Sequence, residues 1–151
     1  MIDTGSSVNV LYIDVFQELM LDPMELTPFG TPLSGFTGDT IHPEGKIALL
    51  VEIGSHPQVV KTAIEFIAVN LQCVHNAILG RPAIVSIGRI ISMPHLCMKY
   101  PTLEGVGIVR GDIRSARKCY RKAVDRKEAW NSQVSLRLGL SNRKPSASRY
   151  R

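Results

Sequence analysis

Two runs of strand-forming residues, joined by a short turn, limit the fold more than any other feature of the sequence. Lys46–Ile53 (KIALLVEI) and Val59–Val69 (VVKTAIEFIAV) are rich in β-branched side chains. In the second run Ile64, Phe66 and Ala68 alternate with Glu65 and Ile67. Alternation at period two sends successive side chains to opposite faces of a sheet. Gly54-Ser-His-Pro57 lies between the runs, with the residue types of a tight turn. The domain is therefore expected to be mainly β.

Weaker signals fill in the rest. Ser7–Tyr12 carries Val8, Val10 and Tyr12 with polar Asn9 between the valines, a partial strand pattern. Asp14–Leu21 reads as a short helix capped by Asp14, with Val15, Phe16, Leu19 and Met20 on one face and Asp22-Pro23 ending it. Residues 22–32, with three prolines and Gly30, read as loop. Leu33–Gly45 reads as a β-hairpin with a glycine-rich tip around Phe36–Thr40. Asn76–Arg81 is a short apolar stretch that ends in Gly80-Arg81 before Pro82, so any helix there is brief. His95–Tyr100 and Val106–Arg110 make a second small hairpin across residues 101–105. Asp112 to Trp130 has helical composition, and residues 131–151, rich in Ser and Arg, read as a disordered tail.

Charge divides the chain at the same place. Residues 1–109 hold five Lys/Arg against ten Asp/Glu, and residues 110–151 hold thirteen against three. An acidic domain followed by a basic arm is expected. Hydrophobic residues at 44% and charged residues at 21% make an ordinary globular balance. The longest apolar run, Ile47–Val51, is far shorter than the ~20 residues of a membrane span. No charged-then-apolar leader opens the sequence, and three widely spaced cysteines form no Cys-x-x-Cys pair. These features point to a cytoplasmic, reducing setting with no membrane partner and no disulfide framework.

The sharpest chemical signal is Asp3-Thr4-Gly5-Ser6-Ser7. Read plainly, it is a turn, since Asp and Ser bond to nearby backbone and Gly accepts unusual dihedrals. Read chemically, it is the loop of an aspartic protease. Such an enzyme faces two carboxylates across ~3 Å, where they share one proton and divide the roles of base and acid. This chain has one Asp-Thr-Gly. A second must come from another copy, which implies a homodimer joined through the Asp3 loop with the site on its two-fold axis.

Three blocks in order carry a family resemblance: Asp3–Ser7, the glycine-punctuated Gly35–Gly45, and Ala77-Ile-Leu-Gly-Arg-Pro82. Together they resemble a retropepsin-type aspartic protease, and more closely the protease region of plant gypsy-type retrotransposon polyproteins. His95–Gly107, Arg110-Gly-Asp112 and Ala116–Tyr120 are similar to the connector toward reverse transcriptase in those polyproteins. The resemblance implies a retropepsin-like β-barrel half-site domain over 1–87, a β-hairpin connector over 88–110, a basic helix over 111–130 and a tail over 131–151. Asp3 would be the catalytic carboxylate. Thr4 would brace the two loops across the dimer, and Gly5 and Ser6 would complete the active-site loop, Gly5 offering its backbone to substrate. Gly35, Phe36, Thr37, Gly38 and Asp39 would form the flap tip over an extended polypeptide substrate. Ile78, Leu79, Gly80 and Arg81 would support the loop from behind. The family also places a hairpin and a strand ahead of the loop, which a chain opening two residues before Asp3 is expected to lack.

Other constellations carry less. His42, His56, His75 and His95 are scattered, so neither a metal site nor a cofactor is expected. Arg110-Gly-Asp112 reads as a turn. Arg114–Lys127 holds seven Lys/Arg against one Asp, so weak, non-specific nucleic-acid contact through 110–130 is weighed beside a solvated helix. Two functions follow: an endopeptidase that activates a water between two copies of Asp3, or an inactive remnant that at most binds peptide or nucleic acid.

Overall fold

The computed structural model of the chain describes residues 1–35 and 38–137. Its elements run β1 (Val10–Tyr12), α1 (Ile13–Glu18), a 3-10 turn (Pro23–Glu25), β2 (Leu33–Ser34), β3 (Thr40–Ile41), β4 (Gly45–Ser55), β5 (Gln58–Val69), β6 (Ala77–Ile78), α2 (Arg81–Ser86), β7 (Ile90–Ser92), β8 (Cys97–Thr102), β9 (Gly105–Arg110) and α3 (Ile113–Arg137). Residues 1–113 pack as one unit, and the chain from Arg114 forms another.

The long hairpin forms where the alternation requires it. β4 and β5 pair antiparallel from Gly45↔Ala68 to Ser55↔Gln58. Beyond its midpoint β5 gains a second neighbour, because β1 runs parallel to it in the register Val10↔Ile67. β6 closes the sheet antiparallel to β1, giving the order β4-β5-β1-β6. Both faces of this part of β5 are covered, each by its own apolar cluster. That is why Ile67 and Val69 are as buried as Ile64, Phe66 and Ala68.

The two faces carry two clusters. One joins Leu11, Phe16, Ile47, Ile53, Ile64 and Phe66 to Ala83 and Ile87 near α2 and to Met98 and Tyr100 of β8. The other joins Val10, Tyr12, Ile67 and Val69, with Val8, Phe29, Leu33, Ile41, Cys73 and Ile78 packed against them. Burial, with help from the neighbouring Cys73 thiol, pushes the Tyr12 hydroxyl well above the usual tyrosine range.

The segment expected as a connector is a three-stranded sheet, β7-β8-β9, and it shares the first cluster. Tyr100 is its anchor. The hydroxyl donates to the Gln58 carbonyl at 3.0 Å. The ring fits against Gly54 and Gly107, where any Cβ would overlap it. Gly54 also has φ +103°, a conformation open chiefly to glycine.

Four local readings change. α1 starts at Ile13, with Tyr12 at the cap, and Asp14 lies in its first turn, where a carboxylate suits the helix dipole. That helix stops at Glu18, and Met20 takes φ +54°. Around Gly80 the helix begins where it was expected to end: Ala77-Ile78 is strand, and α2 starts at Arg81-Pro82. Proline suits a first helical turn, whose N–H groups have no partner within the helix. β7 gave no clear sequence signal. α3 continues to Arg137, past the boundary at 130, and residues 138–151 lie outside the described residues.

One buried group has no counterpart. Arg89 is 8% exposed, and none of its three guanidinium nitrogens meets a hydrogen-bond partner among the described residues. Burial lowers its pKa, opposed by the nearby Tyr100. An unpaired buried charge opposes folding, so Arg89 works against the packing around it.

Candidate active site

The Asp3 loop is a turn held from three directions. Its entry strand runs parallel to residues 77–79. Met1 donates its ammonium to the Ala77 carbonyl at 2.8 Å, Leu79 N–H bonds to Met1 O at 2.9 Å, and Asp3 N–H to Leu79 O at 3.0 Å. Inside the loop Gly5 N–H donates to the Asp3 carboxylate at 2.8 Å, and Ser6 N–H to Asp3 O at 3.3 Å. The Ser6 hydroxyl donates to Val8 O at 2.7 Å. Asp3 is half-buried, while Thr4 and Gly5 are exposed.

Arg81 clamps the far side. Its backbone N–H bonds to Ser6 O at 3.0 Å, and its guanidinium to Gly5 O at 3.2 Å. Ser7 and Val8 offer it no acidic partner in sequence; the structure pairs it with loop carbonyls instead. Gly80 makes that approach possible. A Cβ there would sit on the Val8 carbonyl oxygen and 2.9 Å from that of Ser6.

Asn9 is the group that sequence reasoning passed over. It is 4% exposed. Its amide donates to Glu65 O at 2.8 Å, and its oxygen accepts from Gly80 N–H at 2.9 Å and Ala83 N–H at 3.3 Å. One side chain thus ties β5 to the Gly80 turn and the start of α2. A lone amide between two valines at the foot of a strand was the available signal. Asn9→Ala would leave two buried N–H groups unpaired, at ~1–3 kcal/mol each. The variant is expected to lose ~3 kcal/mol of stability in urea unfolding.

Of the flap residues, Gly35, Gly38 and Asp39 are described, and Phe36 and Thr37 lie outside the described residues. Gly35 N–H bonds to Asp39 O at 2.9 Å and Gly38 N–H to Gly35 O at 3.1 Å, above the pairs Leu33↔Ile41 and Ser34↔Thr40. Leu33 and Ile41 rest on the cluster that also holds Val8 and Ile78. The hairpin base and the flanks of the Asp3 loop therefore share one apolar foundation.

An open cavity of about 300 Å³ lies beside the loop, between Ser7–Asn9 and Pro82, Ala83 and Ser86. Asp3 does not line it. Among the described residues no second carboxylate is hydrogen-bonded to Asp3. Among the described residues no cluster of three His, Cys, Asp or Glu could hold a metal ion, and no helix is long and apolar enough to cross a membrane.

No known family profile matches this sequence, and no curated protein sequence does. Solved structures do match. The retroviral protease-like domain of Ddi1 from Leishmania major is 13% identical, with a TM-score of 0.51 over 72% of this chain and 78% of that one. A retropepsin-like aspartic protease from Rickettsia conorii is 19% identical, with a TM-score of 0.39 over 72% of this chain and 68% of that one. The fold is retropepsin-like: mainly strands, with a C-terminal helix.

Proposed function

We propose that this chain is an aspartic endopeptidase domain that works as a homodimer on extended polypeptide. The observation that carries the reading is the Asp3 loop. Its carboxylate is fixed by Gly5 N–H, and the loop is braced by Arg81, yet among the described residues the carboxylate has no acidic hydrogen-bond partner. A two-fold axis through the loop would supply the partner. Of the paired Asp3 side chains, the ionised one would take a proton from a water. The other would give its proton to the scissile carbonyl oxygen as the water attacks. The Thr4 hydroxyls would brace one loop against the other, and the Gly35–Asp39 turn would cover the substrate.

The order of the three sequence blocks supports an origin in a retrotransposon polyprotein of the plant gypsy kind. Free thiols at Cys73, Cys97 and Cys119 fit a reducing, intracellular setting. Sedimentation of the purified chain, paired with peptide cleavage in acid buffer, tests the reading. A dimer whose cleavage is blocked by a hydroxyl-bearing transition-state mimic supports it. A monomer that cuts nothing overturns it in favour of an inactive remnant.

A further inference from the structure

We propose that one face of α3 is a binding site for the phosphate backbone of nucleic acid. Arg114, Arg117, Lys118, Arg121 and Lys122 are all exposed on this helix. Their spacing of i, i+3, i+4, i+7 and i+8 gathers them on about 140° of arc, over about 12 Å of axis, at 3.6 residues per turn. Asp125 falls within that arc, one turn beyond Arg121 and Lys122, and sets a single acid against the five bases. Among the described residues the ion pairs are Lys46–Glu65 and Lys61–Glu52, so none engages Arg117, Lys118, Arg121 or Lys122.

Like charges set this close repel one another and gain from a polyanion that replaces their counterions. The charge balance of the whole chain points the same way. Residues 1–109 are net acidic, while the sequence after Glu128 has no acidic residue and adds Arg137, Arg143, Lys144, Arg149 and Arg151. Attraction is thus confined to the C-terminal arm. Over Ile113–Asp125, the stretch that carries the five bases, the opposite face holds Ile113, Ala116, Tyr120, Ala123 and Val124. Two of these are alanines, and none is Leu, Phe or Trp, the residues that seat a helix in a lipid surface. The geometry favours phosphate contact over membrane docking. It does not depend on whether the Asp3 loop is catalytic.

The test is fluorescence anisotropy of the full chain with a labelled 20-nucleotide single-stranded RNA and a 20-base-pair DNA duplex. Four phosphate contacts predict a fall in affinity of roughly 50- to 150-fold between 50 and 200 mM salt, without base preference. The variant R117A/K118A/R121A/K122A should bind at least tenfold more weakly, with a much flatter salt slope. Alanine keeps the helix, which circular dichroism checks. R117K/R121K should stay within about threefold, because a phosphate accepts either point charge. Lys99→Ala, exposed on β8, should change nothing. The tighter probe tells single strand from duplex. Unchanged binding by the fourfold variant, no binding at 50 mM salt, or capture by anionic lipid vesicles but not by nucleic acid would overturn the proposal.

Discussion

A chain carrying Asp3→Asn is expected to keep its fold and to cut peptide slower by a factor of about a thousand or more. The substitution preserves shape, and the amide oxygen can still accept from Gly5 N–H, a bond that measures 2.8 Å in the parent. What disappears is the group that exchanges a proton with water, a loss typically worth 10²–10⁴ in rate. A mixing experiment goes further. If the site is built from two copies of Asp3, an equimolar mixture of parent and variant, exchanged to equilibrium, retains about one quarter of the parent rate, since one dimer in four carries two carboxylates. A site complete within one chain would retain half. Initial rates in such mixtures separate the two arrangements without any knowledge of the preferred substrate.

Gly80→Ala is expected to cost as much stability as the loss of the Asn9 side chain. The new methyl group would meet backbone carbonyls at Val8 and Ser6. Neither is a side chain that could swing aside, so the turn itself must move. Two sets of bonds would move with it: Gly80 N–H to Asn9 and the Arg81 contacts to Gly5 and Ser6. Overpacking of this kind costs ~3 kcal/mol, which corresponds to a fall of about 10 °C in Tm for a domain of this size. Calorimetry measures it, and Gly30→Ala is the control, because a Cβ there meets nothing within 4 Å. Cleavage should fail together with stability in the Gly80 variant, whereas Asp3→Asn should separate them.

Much of the sheet was legible because its signal is local. The β4–β5 hairpin announced itself through alternation and a turn, and the Asp3, Gly35–Gly45 and Gly80 blocks each stood out as short strings. What was missed depends on contacts between distant segments. Asn9 looked like the polar half of an alternating strand. Its importance comes from Glu65, Gly80 and Ala83, which lie 56 to 74 residues away. Pro82 reads as a stop because proline interrupts a helix in progress, yet it is equally at home in a first turn. Arg89 carries no mark in the sequence that it is buried. Nor could a small hairpin at residues 95–110 disclose that Met98 and Tyr100 complete a core begun at Leu11.

That shared core limits how far the chain can be shortened from its C-terminal side. Severing the backbone at residue 87 would withdraw the phenol ring from between Gly54 and Gly107 and leave the Gln58 carbonyl bare. The excised fragment would open a hole under its own longest hairpin. A shortened chain that keeps this core therefore has to run at least to Arg110, the end of the last strand of the third sheet. The length the core demands is set by one tyrosine, 31 residues past the end of the longest strand.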